Sequence, residues 1–376
     1  MCFLWRTIEG LGVVLPFLTV VVTVLVFVCR CRMSGMGRLC WLAFVIFACS
    51  RVTVFRFIGD TAYDCPLRIS EMAVHFLDVL YFGTVFLAVL SVPLFFWRSR
   101  LKVFVVPAVA YVVALVGVLN SIATPVVRED IIESDRVPAA LDGYRIVHIS
   151  DIHAYCGCRG WHTQRIVDVA NRLDADLVCL TGDFVDGHPV ECAEYLRPLC
   201  NLKGRDGVYA VTGNHEFADL LNPFEGWKGF YASWGIPFLR NTCVFPRKGL
   251  ALGGIDDRAC YSVLDVPDVA KTFASATNGE FRVLLSHRPD DAQDNIRKHD
   301  VGLQLSGHQH GGFATFVKQV VAVCKCRFIS GLYKMGRGHL VVSAGCGPLY
   351  GFPLRYRTPL EIGLITLRHV QEGALE

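Results

Sequence analysis

Four long apolar runs occupy the first third of the chain and then stop. Gly10 to Cys29, Val79 to Trp97 and Val103 to Val127 contain no charged residue. At about 1.5 Å per helical residue each can cross a hydrocarbon core of about 30 Å. A further run, Leu39 to Ile58, carries Arg51 and Arg56 in its second half, which is costly in lipid unless the arginines snorkel or find partners. No face of these runs is polar enough for the core helices of a soluble domain. The pattern therefore predicts an N-terminal α-helical membrane domain of about four helices over residues 1–127.

The loops between the runs predict an orientation. Arg30, Arg32 and Arg38 follow the first run and Arg98, Arg100 and Lys102 the third, whereas Asp60 to Glu71 is mostly acidic. Basic loops mark the cytoplasmic side. This predicts a multi-pass protein of the cell membrane with everything after Val127 extracytoplasmic, although Arg51 and Arg56 pull the other way.

After Val127 the pattern changes. Residues 128–143, REDIIESDRVPAALDG, read as a charged linker and a turn, and residues 144–376 as a second domain. Strand-like runs at Tyr144 to Ile149, Asp176 to Leu180, Val208 to Val211, Leu250 to Ile255, Phe281 to Leu285 and Gly302 to Leu305 alternate with helical stretches such as Thr163 to Leu173 and Glu191 to Leu199. Alternation at this spacing argues for crossover units and an α/β domain.

Polar residues gather where those strands end. Asp151 and His153 follow the first strand, Gly182 and Asp183 the second, and Gly213, Asn214, His215 and Glu216 the third; His287, then His308 and His310, follow two later ones. In open α/β sheets the carboxyl ends of the strands form the binding crevice. Singly, each motif has a bland reading: a solvated turn for Asp-Ile-His, a turn dipeptide for Gly-Asp, a helix cap for Asn214. Five strand ends carrying ligand-type residues at one topological position point instead to a common site. In Gly307-His308-Gln309-His310, an extended segment would aim both imidazoles the same way.

Of the 376 residues 53% are hydrophobic, and the net charge of +3 is too small to suggest a nucleic-acid polymer as partner. The sixteen cysteines are scattered, and pairs such as Cys324 and Cys326 lack C-x-x-C zinc spacing. None is assigned to chemistry.

The set Asp151-x-His153, Gly182-Asp183, Gly213-Asn214-His215-Glu216, His287 and Gly307-His308-Gln309-His310 resembles the calcineurin-like metallophosphoesterase superfamily. Gly331 to Lys334, Pro353 to Arg355 and Pro359 to Ile362 are similar to segments of its membrane-anchored bacterial members. The resemblance implies two mixed β-sheets sandwiched between helices, a metal-dependent phosphoesterase activity and two divalent ions. It implies Asp151, His153 and His310 as ligands of one ion, Asn214, His287 and His308 as ligands of the other, and Asp183 as a carboxylate bridging both. Such oxygen and imidazole sets suit manganese, iron or zinc. Two ions about 3.5–4 Å apart can hold a hydroxide between them and clamp phosphate oxygens. His215 resembles the histidine that protonates the leaving oxygen, and Asp186 the aspartate that orients it, with a turn residue as its plain alternative. Glu216 is expected to serve the following helix start.

Departures from the family pattern bear on the substrate. Gly187 stands where Ser/Thr protein phosphatases carry arginine, Ser343-Ala344-Gly345 replaces a Ser-Arg-Gly, and Phe313 interrupts a Gly-Gly-Gln. The expected substrate is a phosphoester, nucleotide-linked or lipid-linked at the bilayer, cleaved by a phosphodiesterase or pyrophosphatase. The alternatives are a phosphomonoesterase and, in another class, a non-catalytic membrane receptor or scaffold that kept the fold.

Overall fold

The computed structural model describes residues 71–91, 102–155, 158, 160–186, 189–217, 229, 231–258, 266–312, 328–348 and 353–371. The chain divides into two compact units, Met1–Leu119 and Asn120–Glu376.

In the first unit the described residues form α1 (Glu71–Ser91) and most of α2 (Lys102–Ser121). Tyr111 and Thr84 join them through a hydroxyl–hydroxyl contact of 2.9 Å. Val105, Val109, Val112, Val116 and Leu119 of α2 are exposed. Among the described residues no helix is long and apolar enough to cross a membrane. The first two expected spans lie outside the described residues, and the third and fourth fall partly on α1 and α2.

The last expected span runs too far. α2 ends at Ser121, and Val126 and Val127 open a strand, β1 (Val126–Ser134). It pairs in parallel with the final strand, β11 (Glu361–His369), in the register Val126↔Glu361 through Ser134↔His369. The stretch expected as a linker is thus part of the second unit's sheet, followed by a 3-10 turn at Ala139–Leu141. Its charges disguised it. β1 is an edge strand, and edge strands carry charged residues that deter pairing with other chains. Arg128 is held there by Asp130 and by Glu361, 2.8 Å from each.

The second unit holds two mixed sheets. The first has the order β1, β11, β2 (Arg145–Ile149), β3 (Leu177–Thr181), β4 (Val208–Val211). The second has the order β5 (Thr242–Arg247), β6 (Leu250–Gly254), β7 (Phe281–Leu285), β8 (Leu303–Ser306), β10 (Gly338–Val342), β9 (Gly331–Met335). Period-two geometry sends alternate side chains to opposite faces. Ile146, Leu177 and Cys179 meet Leu252, Val283 and Leu305 in one core between the sheets. Val147, Ile149, Val178 and Leu180 face away, onto α3 (Gly160–Asn171) and α4 (Pro189–Leu196), through Ile166, Val167, Ala170 and Leu196. Ala251 and Leu284 likewise meet α5 (Val269–Thr272) and α6 (Ala292–His299) through Val269 and Ile296. Both faces of the central strands are therefore buried, which is why they read as continuous apolar runs.

β2, β3 and β4 run parallel, as do β6, β7, β8 and β10. Their carboxyl ends set the polar loops of each sheet on one edge.

Candidate metal centre

Five of the residues at these strand ends adopt left-handed backbone: Asp151 (φ 53°), His153 (47°), Asp183 (53°), His308 (70°) and His310 (47°). Such conformations are uncommon for residues with a side chain and persist only where surrounding contacts enforce them. Here the contacts are visible. Asp151 N–H donates to Gly182 O and His153 N–H to Asp183 O, each at 3.0 Å. His215 N–H donates to Asp183 Oδ1 (2.9 Å), and His308 N–H lies 3.1 Å from both Asp151 oxygens. The loops are also too close for side chains at two glycines. A Cβ on Gly213 would collide with Asp183, and one on Gly307 with Ser150 Oγ and Asp151 Oδ2.

The His308 to His310 segment corrects the extended geometry expected for it. It is a tight turn in which Gln309 N–H donates to Gly307 O and Gly312 N–H to Gln309 O. The left-handed histidines, not strand alternation, bring the two rings to the centre.

Eight of the nine residues expected at the site, all but Asn214, fall into close groups of potential ligands. Asp151, His153 and His310 form one potential ligand group and Asp183, His287 and His308 another, while His153, Asp186 and His215 lie equally close together. Asp183 Oδ2 lies 3.1 Å from His287 Nε2 and 3.7 Å from His153 Nε2, so it faces both groups. His310 Nε2 lies 3.4 Å from Asp151 Oδ1 and 3.0 Å from His153 Nε2. His287 Nδ1 donates to Thr181 O at 2.7 Å, which leaves Nε2 with its lone pair available. Asn214 Oδ1 is buried with no hydrogen-bond partner. A buried oxygen left that way is costly, and a cation would satisfy it.

Electrostatics point the same way. Burial opposes charging His287 and His153, yet Asp183 lifts the first to about 10, and Asp186, with other carboxylates, lifts the second well above its ordinary value. Burial likewise opposes ionising Asp151 and Asp183, but the neighbouring histidines hold both well below the usual carboxylate range. Positive charge is thus favoured at His287 and His153, whereas burial, with nearby cationic groups, holds His308 down to about 4 and His310 well below its ordinary value. Metal ligation needs the imidazoles neutral, so ions would displace the protons on His287 and His153. Oxygen and nitrogen donors predominate, and the adjacent Cys346 Sγ is committed to Glu361 O. The residues fit two divalent ions; their chemistry does not select among manganese, iron and zinc.

Asp186 Oδ1 sits 2.9 Å from His153 Nδ1 and 2.5 Å from His215 Nδ1. His215 stands at the mouth, its side chain partly exposed, and its Nε2 is 4.0 Å from Asp183 Oδ2. Burial lowers its pKa, but Asp186 and Asp183 outweigh that and raise it. Glu216 does not serve a helix start. Its carboxylate turns inward and accepts from Gly213 N–H (2.6 Å), Phe184 N–H (2.8 Å) and Asp183 N–H (3.0 Å), tying two loops together. Burial, then the Asp183 charge, pushes it up to about 7.

Several contributors carried no assigned role in the sequence. Arg355, fully buried, donates to Ala344 O (2.7 Å) and Gly347 O (2.9 Å) and reaches within 3.3 Å of His310 Nδ1. Glu361 accepts from Ala344 N–H at 2.9 Å. Both lie in C-terminal segments known beforehand only by resemblance. Arg288 follows His287 directly, and nothing in its spacing distinguished it.

Residues 144–312 match the calcineurin-like phosphoesterase family. A Danio rerio protein named transmembrane protein with metallophosphoesterase domain is 34% identical over 271 residues, 68% of this chain and 60% of that protein. An uncharacterized metallophosphoesterase of Helicobacter pylori strain J99 is 30% identical over 253 residues, 67% of this chain and 66% of that protein. The chain thus spans 60% and 66% of the length of these two relatives. The structure of Haemophilus influenzae NAD nucleotidase aligns with a TM-score of 0.39 and 16% identity over 55% of this chain and 46% of that one.

Proposed function

Because this chain belongs to the calcineurin-like metallophosphoesterase family, we propose that it is a metal-dependent phosphoester hydrolase. The observation that carries the reading is the convergence of two ligand groups on Asp183. Asp151, His153 and His310 would hold one ion, and Asn214, His287 and His308 the other, with Asp183 shared. When bound, such ions supply an activated water and offset charge on the phosphoryl oxygens.

The chain's own residues do the rest. The Asp186 and Asp183 carboxylates raise the pKa of His215 against burial, which suits Nε2 to carry a proton for the leaving oxygen. Asp186 fixes the ring by accepting from Nδ1. Asp186 also accepts from His153 Nδ1, so one carboxylate orients both the proton donor and a ligand ring.

The finer reading is a phosphodiesterase or pyrophosphatase, anchored in the cell membrane by several passes, with an extracytoplasmic catalytic unit and a nucleotide-linked or lipid-linked substrate. The uncharged runs of the N-terminal third support the anchor, as does the name of the Danio rerio relative. A panel of monoester, soluble diester and lipid-linked pyrophosphate, assayed on one metal-loaded sample, tests the substrate reading. Preference for the monoester would refute the diesterase and pyrophosphatase reading, and indifference to lipid linkage would refute the membrane substrate.

A further inference from the structure

Arg288 lies beside the metal centre with much of its hydrogen-bonding capacity unspent. Its backbone oxygen is pinned, accepting from Ser286 Oγ at 3.1 Å and from Gln304 Nε2 and Ser306 Oγ at 3.4 Å each. Its Nε is anchored at 2.7 Å on Asp257 Oδ2, a buried carboxylate that follows β6. The side chain nevertheless keeps 25% of its surface exposed. Nη1 lies 2.9 Å from His308 Nε2, and among the described residues neither Nη group meets a carboxylate or a carbonyl. Arg355, the other arginine at the centre, contrasts with it: fully buried, with donors committed to Ala344 O and Gly347 O.

His308 Nδ1 in turn faces His287 Nε2 at 3.2 Å, so the guanidinium stands at the edge of the ligand group that contains both histidines. A guanidinium has only donors, and it adds positive charge there without offering a metal ligand.

We propose that Arg288 is the anion clamp of this site, held at Nε by Asp257 so that its Nη groups bind non-bridging oxygens of the substrate phosphoryl group. The planar fork suits two such oxygens at once. The inference rests on the phosphoesterase reading for the identity of the anion.

The test uses the full chain, metal-loaded, with inorganic phosphate as probe. Binding is followed by calorimetry and metal content is measured on the same samples. Arg288→Ala is expected to hold as much metal as wild type, to weaken phosphate binding about tenfold or more, and to raise KM for bis-p-nitrophenyl phosphate more than it lowers kcat. Unchanged phosphate affinity, or loss of metal from Arg288→Ala, overturns the proposal, the latter by making Arg288 a support of the ligand group. Should Arg288→Ala fail to fold because Asp257 loses its cation, Arg288→Lys decides. It keeps the ion pair but lacks the fork, and must still bind phosphate several-fold more weakly. Phosphate binding needs no turnover. A wild-type protein that binds phosphate through Arg288 yet hydrolyses no ester rejects the proposed function and leaves the clamp standing, whereas one that binds no phosphate rejects the clamp.

Discussion

Asp186 Oδ1 lies 2.5 Å from His215 Nδ1 while the same oxygen holds His153 Nδ1 at 2.9 Å. Asp186→Asn keeps the shape and removes the charge. Because Asp186 raises the pKa of His215 against burial, its loss lowers that pKa. If His215 acts as an acid, the alkaline limb of the pH–rate profile moves to lower pH, by roughly one to three units for a carboxylate this close. A profile recorded on both proteins checks this, and an unmoved alkaline limb separates Asp186 from proton delivery.

His215→Ala is expected to retain its metal and lose turnover. His215 groups with His153 and Asp186 rather than with either set around Asp183, and its Nδ1 is committed to Asp186. General acid catalysis contributes about 10²–10⁴-fold, so kcat should fall within that range while metal analysis matches wild type. Loss of metal would make His215 a ligand.

Gly307→Ala would drive a Cβ into Ser150 Oγ and Asp151 Oδ2. Both sit on the loop after β2, so relief of the clash displaces Asp151. Overpacking of this kind costs roughly 1–3 kcal/mol. A lower Tm together with reduced metal occupancy is expected in thermal unfolding and metal analysis. A Tm equal to wild type would show that the loops are less tightly juxtaposed.

How much of this was legible beforehand depended on burial. β2 and β3 announced themselves because both faces are packed, giving runs such as Arg145–Ile149 with little polar interruption. β1 did not, because its edge position fills it with Arg128, Glu129, Asp130 and Glu133. The ligand residues were legible because chemistry restricts their type and the topology places them after strands. Their backbone was not: no periodicity foretells left-handed histidines at 308 and 310, which follow from crowding between loops far apart in sequence. Arg288 and Arg355 act through contacts with partners from other elements, so their neighbours in sequence say little.

Stability should fall with acid through a residue outside the ligand groups. His148 lies between the sheets, its Nε2 2.8 Å from Thr181 Oγ1, and burial followed by the Arg128 charge pushes it down to about 3 from 6.5. Between those values the unfolded chain binds a proton that the folded chain refuses, so this contribution is full above about 6.5 and is lost as pH falls towards 3. His148→Gln removes that titration. Denaturant unfolding from pH 7 to pH 4 should show a shallower decline for the variant, and equal slopes would contradict the assignment.

The most direct test of the central claim is metal content and hydrolysis of bis-p-nitrophenyl phosphate, measured together for wild type and Asp183→Asn. Asp183 Oδ2 faces both ligand groups, so the account predicts two divalent ions per chain and metal-dependent hydrolysis in wild type, with both depressed together by the single substitution. Wild type inert with manganese, iron and zinc alike, or Asp183→Asn as active as wild type, would contradict it.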